Sequence, residues 1–243
     1  MDASTLLLCT IGLFFAGIVK GTTGLGYATC SLPILVMAVG LQPAMAIVIG
    51  PTMATNLTVA LATGHLAETV VRFRWLYVAM LPGIVSGVAI LSSVDQFRLV
   101  KLLGFTIFAY GLYALSRPGL ALSGRWQTHL QIPTGFANGV LTGLTGAQVV
   151  PLFPYIMALQ LSPDRTVQAI NLAVLISTTV LAIGLITAGI MSADLLVLSV
   201  LACAPALLGV HIGSTARRLL PDAAFRRVAL VTLMLMGTIM MLR

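Results

Sequence analysis

Charged side chains are scarce in this chain. They account for 8% of its 243 residues, whereas hydrophobic residues account for 59%. A soluble domain carries about 25% charged residues, because it must cover its surface. Long apolar runs recur from one end of the sequence to the other, which is typical of segments that lie in a bilayer. The composition therefore excludes an ordinary soluble domain and predicts an all-α, polytopic integral membrane protein.

Signals for metal binding and disulfides are also lacking. The three cysteines, Cys9, Cys30 and Cys203, each lie in apolar sequence and form no CxxC pair. We expect them to be small buried residues rather than parts of a disulfide framework or a zinc site. The three histidines show no mutual spacing for a metal ion. No cofactor or metal is expected.

Acidic residues are missing from the middle of every apolar run. Glu68 and four aspartates fall in or beside loops, and Asp2 lies at the N-terminus. Proton-coupled carriers usually have a carboxylate or histidine relay inside the membrane. We therefore hypothesise that the chain has no dedicated proton relay. Sodium sites can be built from carbonyls and hydroxyls, so sodium coupling is excluded less strongly.

The basic residues indicate topology. The net charge is +7, but these residues lie in short loops between apolar runs, so nucleic acid is not an expected partner. One set of alternate loops contains Arg72, Arg74, Arg117, Arg125, Arg165, Arg217, Arg218, Arg226 and Arg227, and the opposite set contains Arg98, Lys101 and Arg243. The positive-inside rule places the larger set and the linker 116–127 in the cytoplasm and both termini in the periplasm. The start of the chain lacks a basic n-region, so no cleavable signal peptide is expected.

Ten apolar segments are predicted as helices. They are Ser4–Val19, Tyr27–Gly40, Pro43–Thr63, Trp75–Ser92, Phe97–Leu115, Ile132–Thr142, Val149–Leu159, Thr166–Ile190, Leu195–Ser214 and Phe225–Leu242. The second, sixth and seventh are shorter than the about 20 residues that a straight span needs.

The two halves of the sequence resemble each other. GIVKGTTG in the first half aligns with GVLTGLTG in the second, glycine on glycine at three positions, and Pro82 aligns with Pro205. Each half holds five segments, an odd number, so the halves must insert with opposite orientations. We predict two inverted repeats, residues 1–118 and 119–243, that form one membrane domain.

The glycine clusters and short segments fall at matching places in the two halves, which is a sequence indication of a transporter site. We expect broken or re-entrant helices at the start of each repeat. A broken helix leaves backbone N–H groups unpaired, and the next half-helix carries a partial positive charge at its N-terminus. Two such ends near the bilayer midplane would form an anion site.

Polar side chains near the breaks extend this predicted site. Lys20 is the charged member, so a small oxyanion is the expected ligand. The candidate substrate-binding residues are Lys20, Gly21, Thr22, Thr23, Gly24, Gly26, Tyr27, Asn56, Gly143, Thr145, Gly146, Gln148 and Asn171. Simpler roles are also open: glycines four residues apart serve close helix packing, Lys20 snorkels to an interface, and the two asparagines link helices.

The glycine-rich GTTGLG and the later GLTGAQVVPLFPY, together with the length and two-half organisation, resemble the TauE/SafE family of sulfite-exporter-like permeases. The resemblance implies a bacterial inner-membrane transporter of small sulfur-containing anions such as sulfite, thiosulfate and organosulfonates. The residues that match the family pattern are Gly21, Gly24, Gly26, Pro33, Gly143, Gly146, Pro151 and Pro154.

The leading interpretation is a carrier that exports such an anion by alternating access. An ion-coupled uptake carrier, a small-anion channel and a membrane subunit without transport of its own are the alternatives. An enzyme is not expected, because no acid–base pair, metal cluster or activated nucleophile is evident in the apolar segments. The expected partners are the anion and the lipid bilayer, with a homodimer as an open alternative.

Overall fold

Helices make up all the regular structure in the described part of the chain. The computed structural model describes residues 2–62, 64–116, 119–216 and 222–242. Arg117, Arg217, Arg218 and Arg243, which were used in the topology prediction, lie outside the described residues. The first half contains α1 (Ala3–Thr23), α2 (Tyr27–Val39), α3 (Leu41–Ala62), α4 (Leu66–Arg72), α5 (Arg74–Leu91) and α6 (Gln96–Ser116). The second half contains α7 (Trp126–His129), α8 (Gln131–Thr145), α9 (Leu152–Ala158), α10 (Pro163–Thr187), α11 (Ala193–Leu201), α12 (Cys203–Ala216) and α13 (Asp222–Leu242).

All ten predicted segments overlap helices, and the all-α membrane fold is confirmed. Six spans in the described residues are long and apolar enough to cross a membrane, with α11 and α12 counted as one. The second, sixth and seventh segments are short, as predicted: α2 has 13 residues, α8 has 15 and α9 has 7.

Three details differ from the sequence prediction. The short helices α4 and α7 were not predicted, and the ninth segment is divided at Ala202 into α11 and α12. The division has a physical reason in Pro205, because its ring clashes with the carbonyl of residue 201 and it has no N–H to donate.

Glycines bring several pairs of helices into backbone contact, and two of these pairs contain most of the contacting glycines. In the first pair α1 packs against α12, where a Cβ added to Gly17 would lie 2.4 Å from the Ala206 carbonyl oxygen. In the second pair α8 packs against α5, where a Cβ added to Gly139 would lie 2.4 Å from the Met80 carbonyl oxygen. Small residues permit this approach between membrane helices. The glycines in these two contacts are Gly17, Gly21, Gly209, Gly213, Gly83, Gly87, Gly135, Gly139 and Gly143.

Successive glycine contacts show whether two packed helices are parallel or antiparallel. Gly17 lies against Ala206 and Gly21 against Val210, so α1 and α12 run parallel, as do α5 and α8. In contrast, Gly104 lies against Gly237 and Gly111 against Met234, so α6 and α13 run antiparallel. An inverted repeat predicts these relations. The opposite orientation of the halves in a membrane remains a prediction.

The helices α3 and α10 occupy the centre of the molecule. Their spans are 61% and 56% buried, compared with 22% for the span that contains α11 and α12. They run antiparallel, because Gln168 donates to the Ala60 carbonyl while Asn171, further along α10, lies beside the same lysine as Asn56. This central pair supports the site described below.

Candidate functional site

The first helix breaks three residues before α2 begins. Gly24 has a φ of 77° and Gly26 a φ of 82°, a left-handed conformation that glycine adopts without steric cost. The Gly24 N–H donates to the Lys20 carbonyl at 2.7 Å and closes α1. The Thr23 hydroxyl accepts from the Leu25 N–H at 3.3 Å. The predicted break at Gly24 and Gly26 is therefore confirmed.

The second break has the same beginning. Gly146 has a φ of 74°, and its N–H donates to the Thr142 carbonyl at 2.8 Å. The Thr145 hydroxyl accepts from the Ala147 N–H at 3.2 Å, which repeats the arrangement at Thr23. The chain then continues through a cis peptide bond before Pro151 into α9. Both predicted breaks are thus present, although the second is followed by a helix of only 7 residues.

Lys20 lies inside the protein at the end of α1. It is 2% exposed, and its Nζ donates to Asn56 Oδ1 at 2.7 Å and to Asn171 Oδ1 at 2.9 Å. These asparagines come from α3 and α10, one from each half of the chain. The snorkelling alternative for Lys20 is wrong, because the ammonium group is held between two central helices.

The amide groups of both asparagines are oriented by further hydrogen bonds. Asn56 Nδ2 donates to the Thr52 carbonyl at 2.6 Å. Asn171 Nδ2 donates to the Val167 carbonyl at 2.8 Å and to the Gly24 carbonyl at 3.2 Å. Because each amide N–H group is used in this way, both amide oxygens face the ammonium group. The bond to Gly24 also joins the first helix break directly to α10.

A small cavity adjoins Lys20 at the start of α2. Its volume is about 10 Å³, and we call it the Lys20 cavity. It is lined by Lys20, Leu25, Gly26, Tyr27, Ala28, Thr29, Asn56, Gln148, Phe153, Ile170 and Val174. The space is about that of one water-sized sphere. The described conformation is therefore closed around the lysine.

The lining of the Lys20 cavity favours a negative ligand. The first N–H groups of a helix have no partner within it, and the helix dipole adds a partial positive charge at that end. The N-terminal residues Tyr27, Ala28 and Thr29 of α2 all border the cavity. No acidic side chain is among the residues that line the cavity, and the hydrogen-bond partners of Lys20 Nζ are two neutral amides.

Most of the other candidate residues do not line this cavity. Gly21 and Gly143 lie at helix contacts, as the packing alternative predicts. The hydroxyls of Thr22, Thr23 and Thr145 bond to backbone groups of their own helix or turn. Gly146 borders a neighbouring cavity, and Gln148 borders both cavities.

The apolar part of the cavity wall was missed. Phe153, Ile170 and Val174 line it, but in sequence they are indistinguishable from other core residues of apolar helices. Thr29 also lines the cavity and was not among the candidates, although its polar side chain close to the first break was a signal that could have found it.

The helical spans, the two matched breaks and the buried lysine beside a helix N-terminus define a class: membrane transporters with discontinuous helices around an internal polar site. The family model "Sulfite exporter TauE/SafE" matches residues 9–240. The chain therefore belongs to this family of sulfite-exporter-like membrane transporters, and it is a multi-pass integral membrane protein. Membership in a transporter family is consistent with a non-enzymatic function. Neither a curated protein nor a solved structure matches the chain.

Proposed function

We propose that the protein carries a small sulfur-containing oxyanion, such as sulfite or an organosulfonate, outward across the bacterial inner membrane. The observation that carries this proposal is the buried ammonium of Lys20 beside the open N-terminus of α2. An isolated buried charge is costly, so its retention in an apolar protein needs a compensating partner. A small anion supplies one.

The hydrogen-bonding capacity of the site fits an oxyanion. An ammonium group has three N–H donors, and the two asparagines use two of them. The third donor and the first N–H groups of α2 remain for the oxygens of a ligand. A sulfonate or sulfite group presents several acceptor oxygens, and charge-assisted hydrogen bonds of this kind are about twice as strong as neutral ones.

Transport requires the Lys20 cavity to widen, because its volume of about 10 Å³ is too small for a sulfur oxyanion. Lys20 is bound by α3 from the first half and by α10 from the second. Rocking of one half against the other would open the cavity to one side of the membrane at a time, which is alternating access. The midplane position of the site and the periplasmic location of both termini belong to this proposal.

Export follows from the energetics of an anion in a cell with a negative interior. The membrane potential drives an anion outward by about 2.3 kcal/mol per charge per 100 mV. No acidic residue lies in the middle of the predicted apolar segments, so no carboxylate proton relay is evident to couple uptake. An uptake carrier coupled to sodium is the second candidate, and a channel is the third. Flux that fails to saturate with anion concentration would favour the channel.

A thermal-shift screen of the purified protein tests the ligand class. The anions are sulfite, sulfate, thiosulfate, taurine, sulfoacetate, phosphate and small carboxylates, and a bound anion raises the midpoint as its concentration exceeds Kd. We expect sulfite or a sulfonate to produce the largest shift. A shift with carboxylates alone would refute the sulfur-anion proposal.

Two lysine variants test the site itself. Lys20→Met removes the buried charge, and Lys101→Met is a matched control because Lys101 is the second lysine of the sequence and is exposed on α6. We expect Lys20→Met to weaken anion binding roughly 10- to 100-fold, the loss of a charged hydrogen bond, and Lys101→Met to leave it unchanged. Equal affinity in both variants would remove Lys20 from the site.

A further inference from the structure

A second polar cavity lies next to the Lys20 cavity. Its volume is also about 10 Å³, and its wall is formed by α2, α3, α10 and the second helix break. We call it the Thr52 cavity, and it is lined by Ala28, Leu32, Met45, Val48, Ile49, Thr52, Gly146, Gln148, Thr178 and Leu181. We propose that the Thr52 cavity is a second, weaker position for the transported anion and that Gln148 is the gate between the two positions. This inference rests on the function proposed above.

The hydroxyl of Thr52 is the first observation. Thr52 is 1% exposed, and its Oγ1 has no hydrogen-bond partner among the described residues. Other buried threonines bond to their own helix: Thr55 donates to the Thr52 carbonyl at 3.3 Å, and Thr178 donates to the Val174 carbonyl at 2.7 Å. Buried polar groups normally have a partner, so a hydroxyl that lacks one at a cavity wall indicates a ligand there.

The relative position of the two cavities is the second observation. Along α3 the Lys20 cavity reaches Asn56 and the Thr52 cavity reaches Thr52, a separation of about one helix turn. Along α10 the lining passes from Val174 to Thr178, again about one turn. The cavities are therefore stacked along the central helices, as successive positions on a path would be.

Gln148 stands at the boundary. It lines both cavities, and its Nε2 donates to Thr178 Oγ1 at 2.9 Å. Ala28 at the start of α2 is the other shared residue. A rotation of the Gln148 side chain away from Thr178 would join the cavities and would offer its amide N–H to an anion in transit.

The two proposed positions differ in charge. The Lys20 cavity contains a cation, whereas the polar groups of the Thr52 cavity are the neutral side chains of Thr52, Thr178 and Gln148. A neutral set of donors binds an oxyanion more weakly than a cation does. Conduction needs binding that is strong enough for entry and weak enough for release. The second position would provide the release step.

The test compares Thr52→Val with Thr55→Val. The two threonines lie on the same helix and are equally buried, but Thr55 bonds to the backbone and does not line the cavity. Sulfite flux is measured in proteoliposomes, and equilibrium sulfite binding is measured by calorimetry. We expect Thr52→Val to reduce flux at least tenfold with affinity within twofold of wild type. We expect Thr55→Val to change neither, and Thr52→Ser to restore flux because it keeps the hydroxyl.

The remaining outcomes overturn the inference. Flux within twofold of wild type in Thr52→Val means that the hydroxyl faces only ordered water. An equal loss of flux in Thr55→Val indicates a general disturbance of α3. A loss of sulfite affinity in Thr52→Val that equals its loss of flux means that the two cavities form a single binding position. Failure of wild-type protein to bind sulfite or any sulfonate would instead refute the proposed function, so the two failures are distinguishable.

Discussion

At the scale of single residues, Lys20 and its two asparagines determine what the site can bind. The sequence predicted that Lys20, Asn56 and Asn171 belong to one site, and the structure brings them within hydrogen-bond distance across 151 positions of the chain. What the sequence did not predict is the arrangement. Both amide oxygens face the ammonium because their N–H groups are bound elsewhere, and such tertiary contacts leave no local pattern.

Replacing Asn56 by aspartate should weaken anion binding. A carboxylate 2.7 Å from the Lys20 ammonium would neutralise the site with a fixed negative charge. Opposite charges about 4 Å apart attract by about 4 kcal/mol at an effective dielectric constant of 20, so an incoming anion would compete poorly. Isothermal titration calorimetry should show at least about a tenfold loss of sulfite affinity in Asn56→Asp. The neutral Asn56→Ser serves as the control, and an equal loss in both variants would argue against the charge mechanism.

At the scale of elements, the helices and their breaks could largely be predicted. Apolar runs predicted the spans. Glycine clusters predicted both breaks, because the positive φ angles at Gly24, Gly26 and Gly146 favour glycine. The division at Ala202 was missed, although Pro205 contained the signal. The short α4 and α7 were missed because 7 and 4 residues are too few for a clear hydrophobic period.

Two glycines that are three residues apart should respond differently to alanine. Gly21 faces the α12 backbone, and an added Cβ would lie 2.3 Å from the Val210 carbonyl oxygen. Gly24 has open space, with the nearest atom at 3.7 Å, but it has a φ of 77°. We expect Gly24→Ala to cost about 1 to 2 kcal/mol for the left-handed conformation. Gly21→Ala should cost more, although alanine is the better helix former by about 1 kcal/mol.

Unfolding of the two glycine variants in mixed micelles measures these differences. A Gly21→Ala variant that is more stable than wild type would show that α1 and α12 do not pack closely. The comparison separates the role of a glycine at a helix contact from its role in a turn.

At the scale of the whole molecule, the helix contacts between the two halves repeat in corresponding places. The contact of α1 with α12 is repeated by α8 with α5, and α3 with α10 and α6 with α13 each pair corresponding helices. The first two contacts are parallel and the last two antiparallel, which is consistent with the predicted inverted repeat. Sequence alignment suggested the halves but could not predict which helices touch, because contact partners depend on the assembled fold.

The proposed topology predicts the accessibility of two loops. Ser93, between α5 and α6, should face the periplasm, and Ser123, in the linker between the halves, should face the cytoplasm; both are exposed. Cysteine at each position is introduced after Cys9, Cys30 and Cys203 are replaced by alanine. A membrane-impermeant maleimide should label Ser93→Cys in spheroplasts and Ser123→Cys only after permeabilisation. The reverse labelling pattern would show that the protein has the opposite orientation in the membrane.

Voltage-driven sulfite efflux from proteoliposomes tests the central claim most directly. The claim is that the chain is a carrier whose internal charge, Lys20, holds the transported anion. We predict that wild-type efflux saturates with sulfite concentration and rises with an inside-negative potential. Lys20→Met should reduce it at least about tenfold, the loss of one charged hydrogen bond, while Lys101→Met leaves it unchanged. Efflux that is insensitive to voltage, or equal in the two lysine variants, would contradict the account.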